Sequence, residues 1–378
     1  VTTQTTEPTL PKYRESSLDA LATSVLASLG VPDEPNPLQF APAERACLLL
    51  VDGLGWELLR AHPAAAPFLS EIAVTAAPLT AGFPATTATS LGSIGTGRPP
   101  GQHGIFGYQV AIPGTGKLLN SLTWDAAVDP VRWQPGSTIF QRAANAGVRA
   151  LRVAPGKLDG TGLSTAAMRG AEYLAANTLG ALVSRTSAAL AAEPPAFALV
   201  YYGDLDATGH TLGCNSDAWL YQLAHVDKLA EQLASALPHG TVLHVTGDHG
   251  MVDVPDAERI DVDAVPELRS GVALLGGEAR ARHLYCEPGA APDVLAAWRS
   301  VLGDRAWVAS REHAVADGWF GPVQDALLNR LGDVIVAPCG QSAVIATKSE
   351  PRESAMIGFH GSLTQSDQLV PLLTIAIG

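Results

Sequence analysis

Six side chains in this chain suit a divalent cation. Asp52 follows the apolar run ACLLLV, and Asp206 and His210 share the segment DATGH. Asp248 and His249 are adjacent after TVLHVTG, and His360 sits in a Phe-His-Gly turn. Three carboxylates and three imidazoles make a mixed N/O donor set of borderline hardness, which Zn²⁺ takes and which Mn²⁺ or Fe also accept. A hydroxyl comes from residues 82–107, GFPATTATSLGSIGTGRPPGQHGIFG. Gly82 and Pro84 break the preceding structure, and Thr86, Thr87, Thr89 and Ser90 then open a helix expected to end near Gly97. A hydroxyl at a helix N-terminus lies beside unpaired N–H groups in the positive end of the macrodipole, a natural anion site. Read locally, Thr86 or Thr87 is equally an N-cap. Each acidic residue after a strand is equally a cap or turn residue. The items gain weight only together, in one chain order along one sheet edge.

The elements that must position them alternate between strand and helix. Residues 17–30 have helical spacing, with Ser17 as cap and Gly30 as stop. After a Pro-rich linker, residues 46–51 read as a buried parallel strand ending in Asp52-Gly53-Leu54-Gly55, and a helix is expected from Trp56 to about Ile72. The pattern recurs with strands at 148–154, 196–202 and 241–247 and helices at 138–147, 169–193 and 217–237. This predicts an α/β fold, a doubly wound and mostly parallel sheet flanked by helices, with its site at the strand C-termini. Between Val252 and about Pro338 short strand-like runs surround one helix at 291–303, with a second expected at 320–332. The expected organisation is an N-terminal arm and helix (1–45, with 1–16 loosely packed), a first core part (46–251), a small inserted α+β cap (252–338) and a returning core part (339–378). The core is expected to resume with SAVIATK.

With 378 residues, 47% of them hydrophobic, and a mean hydropathy of +0.16, the chain can bury a large core. A net charge of −13 argues against a nucleic-acid polymer as partner. It leaves a small phosphorylated substrate open, because bound metal ions reverse the local field. No apolar run is long enough to span a bilayer, so no membrane partner is expected. The first residues lack the pattern of a secretory signal, and the expected compartment is the cytoplasm. Cys47, Cys214, Cys286 and Cys339 are scattered and expected as thiols. Oligomeric state has no sequence signature here.

Taken in order, VDGLG (51–55), FPATTATSLGSIGTGRPPGQHGI (83–105), DLDATGH (204–210), TGDHGM (246–251) and FHGS (359–362) resemble the alkaline phosphatase superfamily. Within it, the series is similar to the type I phosphodiesterase and nucleotide pyrophosphatase branch. The resemblance implies two zinc ions, with Mn²⁺ as an alternative. One would be held by Asp206, His210 and His360, the other by Asp52, Asp248, His249 and the Thr87 oxygen. The family's nucleophile precedes the TG turn, here Thr96-Gly97, by nine residues and the HG pair, here His103-Gly104, by sixteen. That spacing selects Thr87 over Thr86. The implied reaction is cleavage of a phosphodiester or phosphoanhydride through a covalent phospho- or nucleotidyl-threonine. A phosphonate hydrolase, a phosphomonoesterase and a metal-binding module without catalysis are the other readings.

The chain departs from the family pattern in two places. Tyr108 stands where the pyrophosphatases carry an Asn on a phosphoryl oxygen, and the phenol either donates there or packs as a core aromatic. Asn120 is a more distant donor, and the family's aromatic beside the nucleophile is missing. His103, Asp204, His283, Cys286, Tyr201, Tyr202, Trp124 and Arg98 are expected in structural roles.

Overall fold

The computed structural model describes residues 7–378. Its central sheet has six strands: β1 (Arg45–Val51), β2 (Arg149–Ala154), β3 (Glu172–Ala175), β4 (Ala196–Tyr202), β5 (Thr241–Gly247) and β6 (Leu372–Ile377). They lie in the order β6-β5-β1-β4-β2-β3, and only β6 runs antiparallel to its neighbour. Because β1 is central and covered on both faces, its whole run from Ala46 to Val51 is apolar and buried. Alternate residues serve different layers. Leu48 and Leu50 join one core with the helices Leu18–Ser28 and Thr87–Thr96. Cys47, Leu49 and Val51 join the other, with the helices Leu179–Leu190 and Asp217–Ala236.

A second sheet of four strands, Val272–Glu278, Ala281–Cys286, Val334–Pro338 and Ala306–Ser310 in spatial order, carries the helix Ala291–Leu302. Trp298 and Val294 of that helix pack with Leu284, Val334 and Val336 in a core of their own. Two buried guanidiniums tie this sheet to the C-terminal segment. Arg280 forks onto Asp367 at 2.9 and 2.6 Å, and Arg282 onto Glu350 at 3.0 and 2.7 Å.

Several local expectations are corrected. The helix expected from Trp56 to Ile72 is two, Trp56–Ala61 and Pro67–Ala73. Pro63 drives His62 out of helical geometry, to φ −125°, and Pro67 opens the next helix. Only Leu179–Leu190 of 169–193 is α-helical; Glu172–Ala175 is the edge strand β3, and Thr178 caps the helix by accepting from the Ala181 N–H. Residues 320–332 hold a 3₁₀ segment, Asp325–Arg330, instead of an α-helix. SAVIATK does not return to the main sheet: Ala343–Ile345 pairs with Arg259–Asp261. Strand β6 went unanticipated.

The arm is also tighter than expected over its described part. The Tyr13 phenol donates to the Trp319 carbonyl at 2.8 Å and accepts from the Phe83 N–H at 3.0 Å. It thereby anchors the segment that leads into the Thr87 helix. Residues 1–6 of the expected arm lie outside the described residues. Among the described residues no helix is long and apolar enough to cross a membrane.

Candidate active site

The sheet register assembles the site. Val51 at the end of β1 pairs with Tyr202 of β4 on one side and with Gly247 of β5 on the other. The next residues, Asp52, Gly203 and Asp248, therefore leave the sheet side by side. Gly53, at φ +74°, allows a close approach there, since a Cβ would lie 3.1 Å from the Asp206 Cα. Asp206 and His210 fall one turn apart on the helix Asp204–Leu212. His360 arrives from the far end of the chain on the loop after Gly358–Phe359, a short strand paired with Val252–Asp253.

All six cation-type residues converge into two clusters, Asp206/His210/His360 and Asp52/Asp248/His249, each with its donor atoms within 4.8 Å of one another. The imidazoles of His249 and His360 stack between them at 3.7 Å. Each of the three rings sets its Nδ1 against a backbone carbonyl: His210 against Gly358 at 2.8 Å, His249 against Gly250 at 3.0 Å, and His360 against Ala85 at 3.0 Å. A carbonyl only accepts, so each Nδ1 carries a proton, and a ring that is neutral aims its Nε2 lone pair into the site. Those lone pairs face carboxylates. His249 Nε2 lies 3.3 Å from Asp52 Oδ1 and 3.5 Å from Asp248 Oδ2, and His210 Nε2 lies 3.4 Å from Asp206 Oδ2.

Acceptor facing acceptor is repulsive unless something positive intervenes. Protonating both stacked rings would set two like charges face to face. A divalent cation in each cluster resolves the conflict. It also gives partners to Asp206 Oδ1 and Asp248 Oδ2, which are buried without a hydrogen bond. The donor set thus fits a metal pair.

Without a cation, the shifts of Asp206, Asp248 and His249 all run toward holding a proton, the positive charge the cluster lacks. Burial pushes Asp206 up to about 6, against the opposing pull of His210. Burial and the Asp52 charge hold Asp248 well above the usual carboxylate range. Burial lowers His249, but the Asp248 and Asp52 carboxylates outweigh it and hold the ring well above its ordinary value. Burial and the nearby His249 and His210 charges hold His360 well below.

The helix Thr87–Thr96 begins at this junction and ends on Gly97 in the left-handed region at φ +64°. Thr86 occupies the N-cap position with extended backbone, yet its side chain caps nothing. Its hydroxyl donates to Glu278 Oε2 at 3.3 Å. Thr87 Oγ1 instead lies 3.3 Å from Asp52 Oδ1 and 3.2 Å from His249 Nε2. Ser90 donates to the Asp248 carbonyl at 2.6 Å and locks the helix to the β5 loop. The two threonines thus face different carboxylates, and only Thr87 reaches a donor cluster.

A cavity of about 320 Å³ opens over Thr87, Asp206, His210 and His360. Tyr108 lines it, with its phenol donating to Glu353 Oε1 at 3.1 Å. Leu122, Met356 and Phe359 add apolar wall, and Arg352 a cation.

Three features of the site had escaped the sequence reading. Tyr201, expected in the core, donates its phenol to Asp52 Oδ2. It belongs to the apolar run AFALVYY, where a strand residue's face is unreadable. Glu278 lines the cavity beside Thr86, and burial pushes its carboxyl up to about 8. No motif surrounds it in GGEARA. The wall from Glu350 to Met356 likewise had no signal. The structural reading of His103 agrees with its burial: Nδ1 accepts from the Ile105 N–H at 3.1 Å, and burial pushes the ring down to about 3.

Solved structures share this architecture. Murine ectonucleotide pyrophosphatase/phosphodiesterase 5, in an inactive form with AMP, superposes with a TM-score of 0.68 at 18% identity, over 87% of each chain. The human protein of the same name gives 0.67 at 20% identity, over 86% of this chain and 87% of that one. Phosphonoacetate hydrolase from Sinorhizobium meliloti 1021, in complex with phosphonoacetate, gives 0.67 at 19% identity, over 88% and 90%. No curated protein matches in sequence. The family model described as type I phosphodiesterase / nucleotide pyrophosphatase matches residues 46–363. With its donor clusters and hydroxyl-bearing helix inside that span, the chain belongs to the type I phosphodiesterase/nucleotide pyrophosphatase family of the alkaline phosphatase superfamily, metal-dependent enzymes that hydrolyse phosphoryl bonds.

Proposed function

We propose that this enzyme cleaves a small phosphodiester or phosphoanhydride with Thr87 as nucleophile and two metal ions, Zn²⁺ or alternatively Mn²⁺. The observation that carries this reading is the position of Thr87 Oγ1 against Asp52 and His249, at a helix start where N–H groups lack partners. Asp206, His210 and His360 would hold one ion; Asp52, Asp248, His249 and Thr87 Oγ1 the other. When bound, the ions supply Lewis acidity, lowering the hydroxyl's pKa and neutralising charge on the phosphoryl group.

The chain's own residues do the rest. Thr87 Oγ1 gives up its proton to water in the cavity and forms a bond to phosphorus as the bond to the leaving oxygen breaks, the electron pair departing with that oxygen. Water then cleaves the phosphothreonine and restores the hydroxyl. The first N–H groups of the Thr87–Thr96 helix face the non-bridging oxygens and stabilise their charge. His210, His249 and His360 keep their lone pairs aimed inward because backbone carbonyls hold their Nδ1 protons. Tyr108 contacts substrate from the cavity wall, with Glu353 fixing its phenol. Residues 252–338 act as a cap, and Glu278 and Ala279 of that segment line the cavity.

A phosphonate substrate is the second reading. It is supported by the architecture shared with phosphonoacetate hydrolase. Rates on bis-p-nitrophenyl phosphate, p-nitrophenyl phosphate and phosphonoacetate, with added Zn²⁺ or Mn²⁺, separate the possibilities. Diester preference supports the first reading, phosphonoacetate preference the second, and monoester preference a phosphomonoesterase. No turnover of any of them together with no bound metal by elemental analysis would sink the proposal.

A further inference from the structure

Arg152 is a buried cation with no counterion. It lies on β2, 4% exposed, and makes no side-chain hydrogen bond or ion pair among the described residues. Its Nε is buried without a partner, so the small remaining exposure belongs to the outer part of the side chain. Two guanidiniums that are fully buried, Arg280 and Arg282, each fork onto a carboxylate. A guanidinium presents five N–H donors in a planar fork; at Arg152 the Nε–H is buried unpaired, which is costly, and the terminal nitrogens have no protein partner among the described residues.

The surroundings offer no substitute. Arg152 pairs in register with Tyr173 of β3 and Leu199 of β4, which places Tyr201 on the same face, two residues further along. The guanidinium lies over the Tyr173 ring at 5.5 Å. The Tyr173 phenol donates elsewhere, to the Pro155 carbonyl at 2.5 Å, and the Tyr201 phenol donates to Asp52. Asp159, the carboxylate that bears on Arg152, is exposed and makes no ion pair with it. A cation–π contact supplies attraction but leaves the N–H groups unsatisfied.

We propose that Arg152 is the centre of a small-oxyanion site, beside Tyr201 and separate from the cavity over Thr87. Its ligand is a phosphate- or sulfate-like ion or a carboxylate, whose paired oxygens match the guanidinium fork. The residues around Arg152 are absent from the wall of the catalytic cavity, and the site does not depend on the reaction assigned to Thr87.

Thermal unfolding of the full chain with its divalent ions tests the site. Wild type and Arg152→Met are compared in chloride and in phosphate, sulfate or acetate at matched ionic strength. Anion effects at the metal centre and on bulk solvation act on both proteins, so the difference isolates Arg152. The expected result is a Tm increment of a few degrees in wild type that Arg152→Met lacks. A larger increment with phosphate or sulfate identifies a tetrahedral ion, and a larger one with acetate a carboxylate. Equal increments in the two proteins, or none in wild type, overturn the site. Should Arg152→Met not fold, Arg152→Lys keeps the charge without the fork. It is expected to show a reduced increment, and an increment equal to that of wild type would overturn the proposal.

Discussion

Asp52, Asp248 and His249 lie inside the protein, at 4%, 0% and 0% exposure, whereas the Asp206 and His210 side chains keep 15% and 18% and line the cavity. The inner cluster is the more heavily braced, although Asp248 Oδ2 is itself without a hydrogen bond. Asp248 Oδ1 accepts from the Gly53 and His249 N–H groups at 3.0 Å, and Asp52 accepts from Tyr201 and Thr87. In the outer cluster, among the described residues, no backbone N–H or other side-chain donor binds Asp206, which meets only imidazoles, and its Oδ1 has no hydrogen bond. Similar donors in such different surroundings imply a division of labour. The inner cluster is prebuilt around Thr87, the proposed nucleophile, while the outer one faces the cavity, where on the proposed mechanism a leaving group and water would come and go.

The sharpest way to break this comparison is Thr87→Ala. It should lower turnover of the preferred substrate by at least about a thousandfold while leaving metal content per chain unchanged by elemental analysis. Unchanged turnover would remove Thr87 from the chemistry. His210→Ala should next lose one ion per chain and keep the other, whereas Asp248→Ala should also lower the melting temperature, because Asp248 Oδ1 accepts from the Gly53 and His249 N–H groups and braces that loop. Equal metal loss and equal destabilisation in the two variants would erase the distinction. Tyr201→Phe removes only a hydrogen bond to Asp52, so a loss of inner-cluster metal affinity of about tenfold is expected in chelator competition.

The smallest effect concerns pH and Glu278. Its carboxyl stands at about 8 in the folded chain against an ordinary 4.5. A folded-state value raised above the unfolded one contributes stability that is present below the unfolded value and lost as pH rises through the folded one. The Glu278 contribution to the melting temperature of the chelator-treated protein should therefore fall as pH rises from about 4.5 to about 8 and level off above that. Glu278→Gln should flatten that limb, and an unchanged profile would show that Glu278 does not titrate there.

How much of this was legible follows from where each residue sits relative to a regular element. Asp52, Asp206, Asp248 and His249 stand at the ends of buried strands or the start of a helix, so a run of apolar residues announces each of them. The cavity wall has no such marker. Glu278 ends a strand of the second sheet, Glu353 lies in a four-residue helical turn, and Tyr108 reaches its neighbour across 245 positions of chain. Tyr201 was misjudged for a related reason, since an apolar strand covered on both faces does not reveal which side chain ends on a carboxylate.

From the sequence alone came the alternating strand–helix order, the six cation-type residues, the preference for Thr87 by motif spacing and the family. These are local patterns or spacings, which the chain carries without folding. Only the tertiary structure decided that Asp52, Asp248 and His249 lie inside the protein while Asp206 and His210 line the cavity, that Thr86 turns to Glu278 while Thr87 turns to Asp52, and that Arg152 is left without a counterion. Each of these depends on strand register and on contacts between segments far apart in the chain, where burial, not sequence order, determines which polar groups must find partners.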